Sequence, residues 1–500
     1  MSTPQVQRLR QLKQLGTSDF TYINTTHTRF EHSLGVCHLA GELLTKIDKR
    51  QPQLGITPKD IVCVKIAGLL HDLGHGPYSH VFDGVFRKQL KLAEEKDPTI
   101  AHEDMPEPME GWAHEDASLM MIDAMLKHMG LEIDECNLDE PLKQIGDGVD
   151  AKRFGLWDRM SELELVNNDD EDSDEESEGY DTDDNNNTTA LPNELVLTSR
   201  DWVFIKECIA GCPLPPKGVS IESFKKSDHD AVLIGRPMNK EFLYDVVNNR
   251  HSGLDVDKVD YLARDTMRAH GSNCIADLMN KMTEKSFVAW GICSNPSTCW
   301  KCKQVKEGTK QPSLGERPDC HLMICYQDNM AQNLMSFFEQ RYLEHQRLYT
   351  HPKTARTNYM ICDILLLAEQ HFRIVSIDDN GNAGIKLPIS RAMTNPDVYL
   401  ELTDTVLDKI LNTECSELQL ARQLIKRLRK HGKYLKAGYD IITDEPCTQV
   451  LWDMSETEIV DGILKQSEMD MINEGSGICS DDTIVDKNNI HHGKKEKNRK

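Results

Sequence analysis

The amino-acid sequence contains no long uninterrupted run of apolar residues, and this absence is the first constraint on the protein. No stretch approaches the roughly 18 consecutive apolar residues that a membrane-spanning helix requires. Residues 1–8 also lack the apolar segment of a secretory signal. The sequence therefore predicts a protein that neither spans a membrane nor enters the secretory pathway.

Positive charge is also scarce. The chain has 58 Lys and Arg residues against 82 Asp and Glu residues, which gives a formal net charge of -24. This balance argues against a general surface for nucleic acid or anionic membranes, so nucleic acid is not expected as the main ligand. A polyanionic substrate remains compatible with the charge, provided that local Lys and Arg side chains line its pocket.

The sequence lacks the closely spaced cysteines that staple small secreted domains. Its 15 cysteines are scattered over 500 residues, and we interpret them as mostly reduced thiols in a protein of the nucleus or cytosol. Cys299 and Cys302 have the spacing of half a zinc knuckle, although the neighbouring cysteines are irregularly placed. An ordinary loop that contains thiols is the favoured interpretation, and a structural zinc site is the alternative.

Helical patterning dominates what is present, so we predict a mostly α fold with a small α+β C-terminal subdomain and two inserted loops. Residues 1–375 are predicted to form the main helical domain, 376–474 the smaller α+β subdomain, and 475–500 a polar tail. Short apolar runs flank the turn-forming residues 378–382, and this pattern predicts a β-hairpin at the junction.

The two predicted insertions differ in composition. Residues 161–195 are expected to be disordered, because eleven of the sixteen residues 169–184 are Asp or Glu and cannot bury enough apolar surface to offset the entropy of ordering. The interpretation of this segment as a solvated spacer is favoured. The second insertion, 286–320, is the one that contains Cys299 and Cys302.

Four metal-binding side chains occur in a fixed order along the chain. His32 comes first, the adjacent pair His71 and Asp72 follows, and Asp257 lies far downstream. Two imidazoles and two carboxylates suit one divalent ion, such as Zn, Fe, Mn or Mg, and leave positions open for water and substrate. Any one of these residues alone would be unremarkable, but the ordered set in apolar helical settings predicts a metal-dependent phosphohydrolase of the HD type.

Further histidines extend this cluster. His75 follows His71 by four residues, so both would lie on one face if the helix continued. His80 and Asp83 come next, and His114 stands beside Glu115 as a potential proton donor. The alternative interpretation is that these histidines are purely structural.

Cations near the ligands suggest a phosphate-binding pocket. Arg29 precedes His32 by three residues, and Lys258 directly follows Asp257. Arg341, His345 and Tyr349 recur at four-residue spacing, which makes a stripe that could clamp a polyphosphate. A solvated helix face is the alternative interpretation of this stripe.

Three long runs, at residues 28–36, 71–80 and 255–265, closely resemble those of the animal SAM-and-HD-domain deoxynucleoside triphosphate triphosphohydrolases. The resemblance covers nearly the whole chain outside the two insertions. It implies a mostly helical HD-domain fold and an enzyme that cuts a deoxynucleoside triphosphate (dNTP) into deoxynucleoside and tripolyphosphate, thereby controlling dNTP pools. Family members are often nuclear and restrict viruses as part of innate immunity by draining these pools.

The resemblance also implies a role for each matching residue. The metal ligands would be His32, His71, Asp72 and Asp257. The catalytic residues would be His75, His114 and Asp83, with His114 as the acid. The residues that contact substrate would be Gln14, Leu15, Arg29, His80, Lys258, Tyr261, Asp265, Arg341, His345 and Tyr349. A tyrosine against the sugar C2′ edge would leave no room for a 2′-hydroxyl and so would favour deoxy substrates.

Family members are activated when GTP and dNTPs bridge subunits, so the resemblance implies a dimer or tetramer with such activators. The corresponding positions are Gln7, Arg10, Asn333 and Arg429. Gln327, Asn329 and Pro352 stand where relatives carry cations, and fewer cations predict weaker or altered nucleotide control. We also expect the chain to lack the family's SAM domain and C-terminal lobe.

Two other functions remain open at this stage. The first is an HD phosphohydrolase that acts on a cyclic or signalling nucleotide, which would not need the Arg341, His345 and Tyr349 stripe. The second is a non-catalytic nucleotide sensor or scaffold, which would bind a nucleotide without turning it over. Release of tripolyphosphate would separate the triphosphohydrolase from both.

Overall fold

The computed structural model is predominantly helical. It describes residues 1–98, 102, 110–145, 196–226, 233–249, 251–273, 275–292, 319–378, 381–432, 455 and 458. The predicted acidic insertion 161–195 and the pair Cys299 and Cys302 lie outside these residues. No helix in the described ranges combines the length and the apolar character needed to cross a bilayer.

The described α-helices are numbered in chain order. They are α1 Pro4–Arg8, α2 Arg29–Arg50, α3 Pro58–Leu70, α4 Arg87–Lys96, α5 His114–His128, α6 Ser199–Ala210, α7 Ile221–Lys226, α8 Val256–His270, α9 Ala276–Lys285, α10 Ala331–Glu344, α11 Pro352–Glu369, α12 Pro396–Leu400, α13 Val406–Asn412 and α14 Gln419–Arg429. Single π-helical turns at Val81–Phe86 and His345–Tyr349 adjoin α4 and α10.

The strands form three antiparallel pairs. They are β1 Leu131–Glu132 with β2 Lys143–Gln144, β3 Ser286–Ile292 with β4 Asp319–Tyr326, and β5 Ile374–Ile377 with β6 Ala383–Leu387. The third pair confirms the predicted hairpin around residues 378–382. The second pair shows that both ends of the predicted insertion 286–320 are strands, paired from Ser286 with Tyr326 to Ile292 with Asp319.

Local sequence explains where α3 begins. Pro58 occupies the first turn, where its missing N–H costs nothing. The Thr57 hydroxyl accepts a hydrogen bond from the Asp60 amide at 3.1 Å, and the Asp60 carboxylate accepts one from the Thr57 amide at 3.0 Å. The helix then packs along α2 with Val64 and Ala67 fully buried.

One helical expectation was wrong, and the helix that would have aligned His71 with His75 does not continue. Helical patterning in the sequence runs through Phe242 to Arg268, but these residues do not form one continuous helix. A 3-10 segment at Met238–Asp245 is followed by a turn in which the Asn249 side chain accepts hydrogen bonds from two backbone amides. In addition, α3 ends at Leu70, so His71 and His75 do not share one helix. At Gly74 the chain passes close to α5 instead of forming another helical turn. An added Cβ at this position would lie 2.0 Å from the His114 carbonyl oxygen.

One hydrophobic core joins the N-terminal and C-terminal helices. It includes Leu9 and Leu12 near the N-terminus, Leu44 of α2, and Tyr399 and Leu402 near α12, all fully buried. Residues on both sides of position 375 therefore contribute to the same core. This packing places the segment around Tyr399 directly behind the loop that carries His75.

Candidate active site

The predicted metal ligands come together where three helix ends meet. His32 lies in the first turn of α2, His71 and Asp72 follow the end of α3, and Asp257 lies in the first turn of α8. Asp257 Oδ1 lies 3.0 Å from His32 Nε2 and 3.4 Å from His71 Nε2, and the two Nε2 atoms are 3.2 Å apart. These three ligand atoms converge on one point that suits a metal ion.

The hydrogen-bond partners of the two Nδ1 atoms fix the orientation of the His71 and His32 rings. His71 Nδ1 lies 2.8 Å from the Gly68 carbonyl oxygen, which can only accept, so this nitrogen carries the proton. His32 Nδ1 faces Asp260 Oδ2 at 2.8 Å in the same way. Both Nε2 atoms face Asp257, so each can offer its lone pair to a metal ion once its own proton has left, and this is how imidazoles that bind metal are usually oriented. The donor set therefore fits a divalent ion of the Zn, Fe, Mn or Mg type.

Asp72 lies beside this point in a looser arrangement. Its Oδ1 is 3.4 Å from His71 Nε2, and its Oδ2 is 3.7 Å from His32 Nε2. Arg29 donates to Oδ2 at 2.6 Å, and His75 Nε2 lies 3.3 Å from Oδ1. The Asp72 carboxylate thus lies next to the predicted metal site, a predicted phosphate-binding cation and a predicted catalytic histidine.

The electrostatics of the buried cluster favour a cation. Burial alone would lower the pKa of His32, but hydrogen bonds to Asp257 and Asp260 raise this pKa to about 10. Burial would raise the pKa of Asp72, yet Arg29 and the neighbouring histidines hold it well below its ordinary value. The carboxylates are therefore ionised at neutral pH, and they attract either protons or a metal ion to the imidazoles.

Asp260 contacts a predicted metal ligand, and the sequence reasoning did not assign it a role. Its carboxylate contacts His32 and also accepts hydrogen bonds from Arg264 Nε at 3.0 Å and Nη2 at 2.9 Å. Gly35 makes room for it, because an added Cβ would lie 1.8 Å from Asp260 Oδ1. The available signal was its position three residues after Asp257, which places both carboxylates on one face of a helix.

A second cluster contains the three predicted catalytic residues. His75 Nδ1 lies 2.8 Å from Asp83 Oδ2, and His114 Nδ1 lies 3.9 Å from the same oxygen. The His75 and His114 rings are stacked with centroids 3.9 Å apart and an interplanar angle of 18°. Desolvation and the adjacent His75 lower the pKa of His114, and the same two causes lower the pKa of His80.

His75, His80 and His114 line one cavity of about 480 Å³ together with the four predicted metal ligands. All of the residues predicted to contact substrate also line it, namely Gln14, Leu15, Arg29, His80, Lys258, Tyr261, Asp265, Arg341, His345 and Tyr349. Lys258 Nζ donates to Asp255 Oδ2 at 2.6 Å, and Arg341 Nε donates to the Tyr261 hydroxyl at 3.1 Å. The cations are therefore held in place before any ligand enters.

A hydrogen-bonded chain begins at Tyr349 in the lining of the cavity. The Tyr349 hydroxyl donates to Asp265 Oδ2 at 2.8 Å, and Asp265 Oδ1 lies 2.8 Å from Nε2 of the buried His27. Tyr349 also packs edge-on against His345 and Tyr261, with centroids 5.0 and 6.4 Å away. His27 was not singled out from the sequence, because no local pattern links it to a residue 238 positions away.

The four predicted regulatory positions lie outside the lining of this cavity. Arg10 Nε donates to Gln7 Oε1 at 2.9 Å, and the Arg10 guanidinium lies 3.7 Å from the centroid of the Phe30 ring. Asn333 lies on α10, and Arg429, at the end of α14, pairs with Asp408. The structure thus brings Gln7 and Arg10 together and places Asn333 and Arg429 on other elements.

The helical fold and the His–Asp cluster are those expected of an HD domain, and residues 29–164 match the HD domain family. Over 500 residues, the chain is 30% identical to the deoxynucleoside triphosphate triphosphohydrolase SAMHD1 of Bos taurus, covering 100% of this chain and 64% of that protein. The Homo sapiens protein of the same name is 29% identical over 499 residues, with 100% and 60% coverage. The Dictyostelium discoideum SAMHD1 homolog is 26% identical over 497 residues, with 99% and 65% coverage. The chain therefore spans slightly less than two thirds of these relatives.

Proposed function

We propose that this protein is a metal-dependent dNTP triphosphohydrolase. The observation that carries the proposal is the convergence of His32, His71 and Asp257 at one wall of a cavity that also contains ordered cations and a stacked histidine pair. The similarity to proteins named deoxynucleoside triphosphate triphosphohydrolase supports the choice of substrate.

His32, His71, Asp72 and Asp257 would hold the ion. When bound, a divalent ion at such a site supplies Lewis acidity and an activated water. Arg29, Lys258 and Arg341 would bind the triphosphate through charge-assisted hydrogen bonds. Because Arg29 already contacts Asp72 at 2.6 Å, the phosphate nearest to Arg29 would lie next to the metal ligands.

Hydrolysis to deoxynucleoside and tripolyphosphate requires water to attack the α-phosphorus and the bond from phosphorus to O5′ to break. The departing O5′ must receive a proton, and His114 would donate it. The pKa of His114 is lowered in the protein alone. A bound triphosphate would raise it again, because nearby negative charge favours the imidazolium. Asp83 would orient the stacked pair through His75.

The chain of Tyr349, Asp265 and His27 would select the sugar. Asp265 is 1% exposed and fixed on both oxygens, so Tyr349 is held against the cavity with little freedom. A rigid aromatic ring at the C2′ edge excludes a 2′-hydroxyl by shape, while buried polar groups would form hydrogen bonds with the 3′-hydroxyl.

The regulatory part of the proposal is an assembly whose control by nucleotides is weakened or altered relative to the family. Gln7, Arg10, Asn333 and Arg429 would contribute to sites for GTP or dNTP activators between subunits of a dimer or tetramer. The hydrogen bond from Arg10 to Gln7 supports a common role for that pair. Control of dNTP pools in the nucleus or cytosol, with an antiviral effect, would follow from this activity. Sedimentation with and without GTP and dATP tests the assembly.

The decisive experiment assays the four dNTPs and the matching ribonucleotides with Mn²⁺ or Mg²⁺, with and without GTP. We expect deoxynucleoside and tripolyphosphate as products and little turnover of ribonucleotides. Asp257→Asn should reduce kcat by a factor of at least about 10³, because it removes a charged ligand. The matched control is Asp277→Asn, whose carboxylate is exposed and pairs only with Lys281 among the contacts described for it. Release of orthophosphate or pyrophosphate instead would contradict the proposal.

A further inference from the structure

Two consecutive residues beside the cavity adopt an unfavourable backbone conformation. Tyr78 has a φ of 56° and Ser79 a φ of 55°, in the left-handed region that side chains with a Cβ rarely occupy. Such a conformation is strained for any residue that carries a Cβ. They lie between His75 and His80, and both line the cavity. Contacts elsewhere in the protein must therefore hold this turn in place.

A carboxylate from the C-terminal part of the chain supplies those contacts. Asp404 Oδ1 accepts a hydrogen bond from the Tyr78 amide at 2.6 Å, and Oδ2 accepts one from the Lys13 amide at 2.9 Å. The Asp404 carbonyl oxygen also accepts one from the Tyr78 hydroxyl at 2.9 Å. Asp404 thus accepts three hydrogen bonds, which fix the strained turn and the N-terminal segment next to it.

Ser79 transmits this restraint to the substrate pocket. Its hydroxyl donates to the Lys13 carbonyl oxygen at 2.8 Å and accepts from Arg29 Nε at 2.9 Å. The same Arg29 guanidinium donates to Asp72 at 2.6 Å. A short series of hydrogen bonds therefore connects Asp404 with the proposed phosphate-binding cation.

The same C-terminal segment holds the start of the loop. The Tyr399 hydroxyl donates to the Gly74 carbonyl oxygen at 2.8 Å. The buried Arg8 guanidinium donates to the His75 carbonyl oxygen at 2.9 Å and to the Leu402 carbonyl oxygen at 2.7 Å. The loop from Gly74 to Ser79 is therefore restrained at both ends by residues 399–404.

An ionised carboxylate is well suited to this position, because both of its oxygens only accept and both face N–H donors. An asparagine at position 404 would present one acceptor and one N–H, and the N–H would meet another donor. Burial raises the pKa of Asp404 to about 6, and the hydrogen bonds from Tyr78 and Lys13 oppose that rise. At pH 7.5 the group is ionised and can accept both bonds.

We propose that Asp404 is a positioning residue for the reaction. It holds the left-handed turn at Tyr78 and Ser79 and, through Ser79, sets Arg29 and the loop that carries His75. It does this without lining the cavity. The expected effect of Asp404 on kcat rests on the proposed function, whereas the restraint on the loop is a property of the fold alone.

The test compares Asp404→Asn with a matched control in the same segment. Glu401→Gln makes the same type of chemical change three residues away, at a half-buried carboxylate that pairs with Lys409. We expect Asp404→Asn to lower kcat at least tenfold, while bound metal per chain is unchanged, because the four proposed ligands lie at helix ends and not on the loop. Glu401→Gln should leave kcat, KM and metal content unchanged.

Hydrogen exchange gives a readout that does not depend on turnover. In Asp404→Asn, the amides of residues 73–80 and of Lys13 should exchange at least tenfold faster, with the rest of the chain unaffected. Parallel loss of metal, thermal stability and protection throughout the chain would make Asp404 a general folding residue and overturn the proposal. Unchanged loop exchange would also overturn it. If the wild type hydrolysed no dNTP, the function would fail, while the exchange result would still decide the restraint.

Ser79→Ala provides a second, milder variant. It removes only the hydroxyl that links Lys13 and Arg29 and leaves the Asp404 hydrogen bonds in place. We expect the KM for dNTP to rise about tenfold, because Arg29 loses one of its two restraints. Unchanged KM and kcat in this variant would show that the turn does not position Arg29.

Discussion

At the scale of single residues, the site depends on which nitrogen of each imidazole carries the proton. The Gly68 carbonyl oxygen and the Asp260 carboxylate hold the protons of His71 and His32 on Nδ1, so that both Nε2 atoms face Asp257. The residue types His, His, Asp and Asp could be recognised from the sequence. The Gly68 partner of His71 could not, because a backbone carbonyl leaves no sequence signature.

The first prediction concerns the exchange of protons for metal. Hydrogen bonds to Asp257 and Asp260 overcome the effect of burial and raise the pKa of His32 to about 10, and the pKa of His71 is also raised. In the ion-free protein, imidazolium at these positions stabilises the fold fully below about pH 6.5, and this contribution is lost as the pH rises toward 10. Metal binding at pH 7.5 should therefore release between one and two protons per ion.

Calorimetric titration of the chelator-treated protein with Zn²⁺, in two buffers of different ionisation enthalpy, measures this release. Asp257→Asn serves as the comparison, because it removes a hydrogen-bond partner that raises both pKa values. Binding that released no protons in the wild type would show that the imidazoles are neutral before the ion enters.

At the scale of secondary-structure elements, one arginine joins the starts of two helices. Asp60 and Asp201 close the capping boxes of α3 and α6. Arg236 Nε donates to Asp60 Oδ1 at 2.6 Å, and its Nη2 donates to Asp201 Oδ1 at 2.7 Å. Since α3 leads directly to His71 and Asp72, this link fixes the helix that delivers two of the proposed ligands.

The second prediction follows from that link. Arg236→Met should lower the free energy of unfolding by about 2–4 kcal/mol, because it leaves two buried carboxylates short of a partner. The control is Arg268→Met, which breaks an ion pair with Glu31 in which both side chains are about 40% exposed. That variant should change stability by less than about 1 kcal/mol. Urea unfolding followed by circular dichroism measures both, and equal effects would contradict the argument.

At the scale of the whole molecule, contacts between residues far apart in the sequence bring distant segments of the chain together. Pro141 pairs with Thr198 in an antiparallel bridge, and the Ser199 amide donates to the Glu140 carbonyl oxygen at 2.9 Å. The two ends of the segment that contains the acidic residues 169–184 therefore lie side by side. The Asp404 contact with Tyr78 spans 326 positions and completes the candidate site in the same way.

The third prediction follows from the contact between the residues that flank the acidic segment. Replacement of residues 165–192 by a short Gly-Ser linker should leave the urea midpoint and kcat unchanged within error, since the flanking contacts remain and a shorter loop costs less entropy to close. A linker variant that also carries Thr198→Ala, which removes a helix cap, should lose about 1 kcal/mol and shows that the assay can detect a small change. Loss of activity in the simple replacement would assign a role in the site to the acidic segment.

The sequence by itself determined the features that neighbouring residues encode. Its apolar periodicity indicated the helices, and the turn residues around position 380 indicated the β5–β6 hairpin. The order of His32, His71, Asp72 and Asp257 predicted the types of the proposed metal ligands. Tertiary structure alone decided that α3 stops at Leu70, that Asp260 and His27 support the pocket, and that Asp404 restrains a strained turn. Those outcomes depend on buried partners far away in the chain, and local periodicity and capping carry no record of such partners.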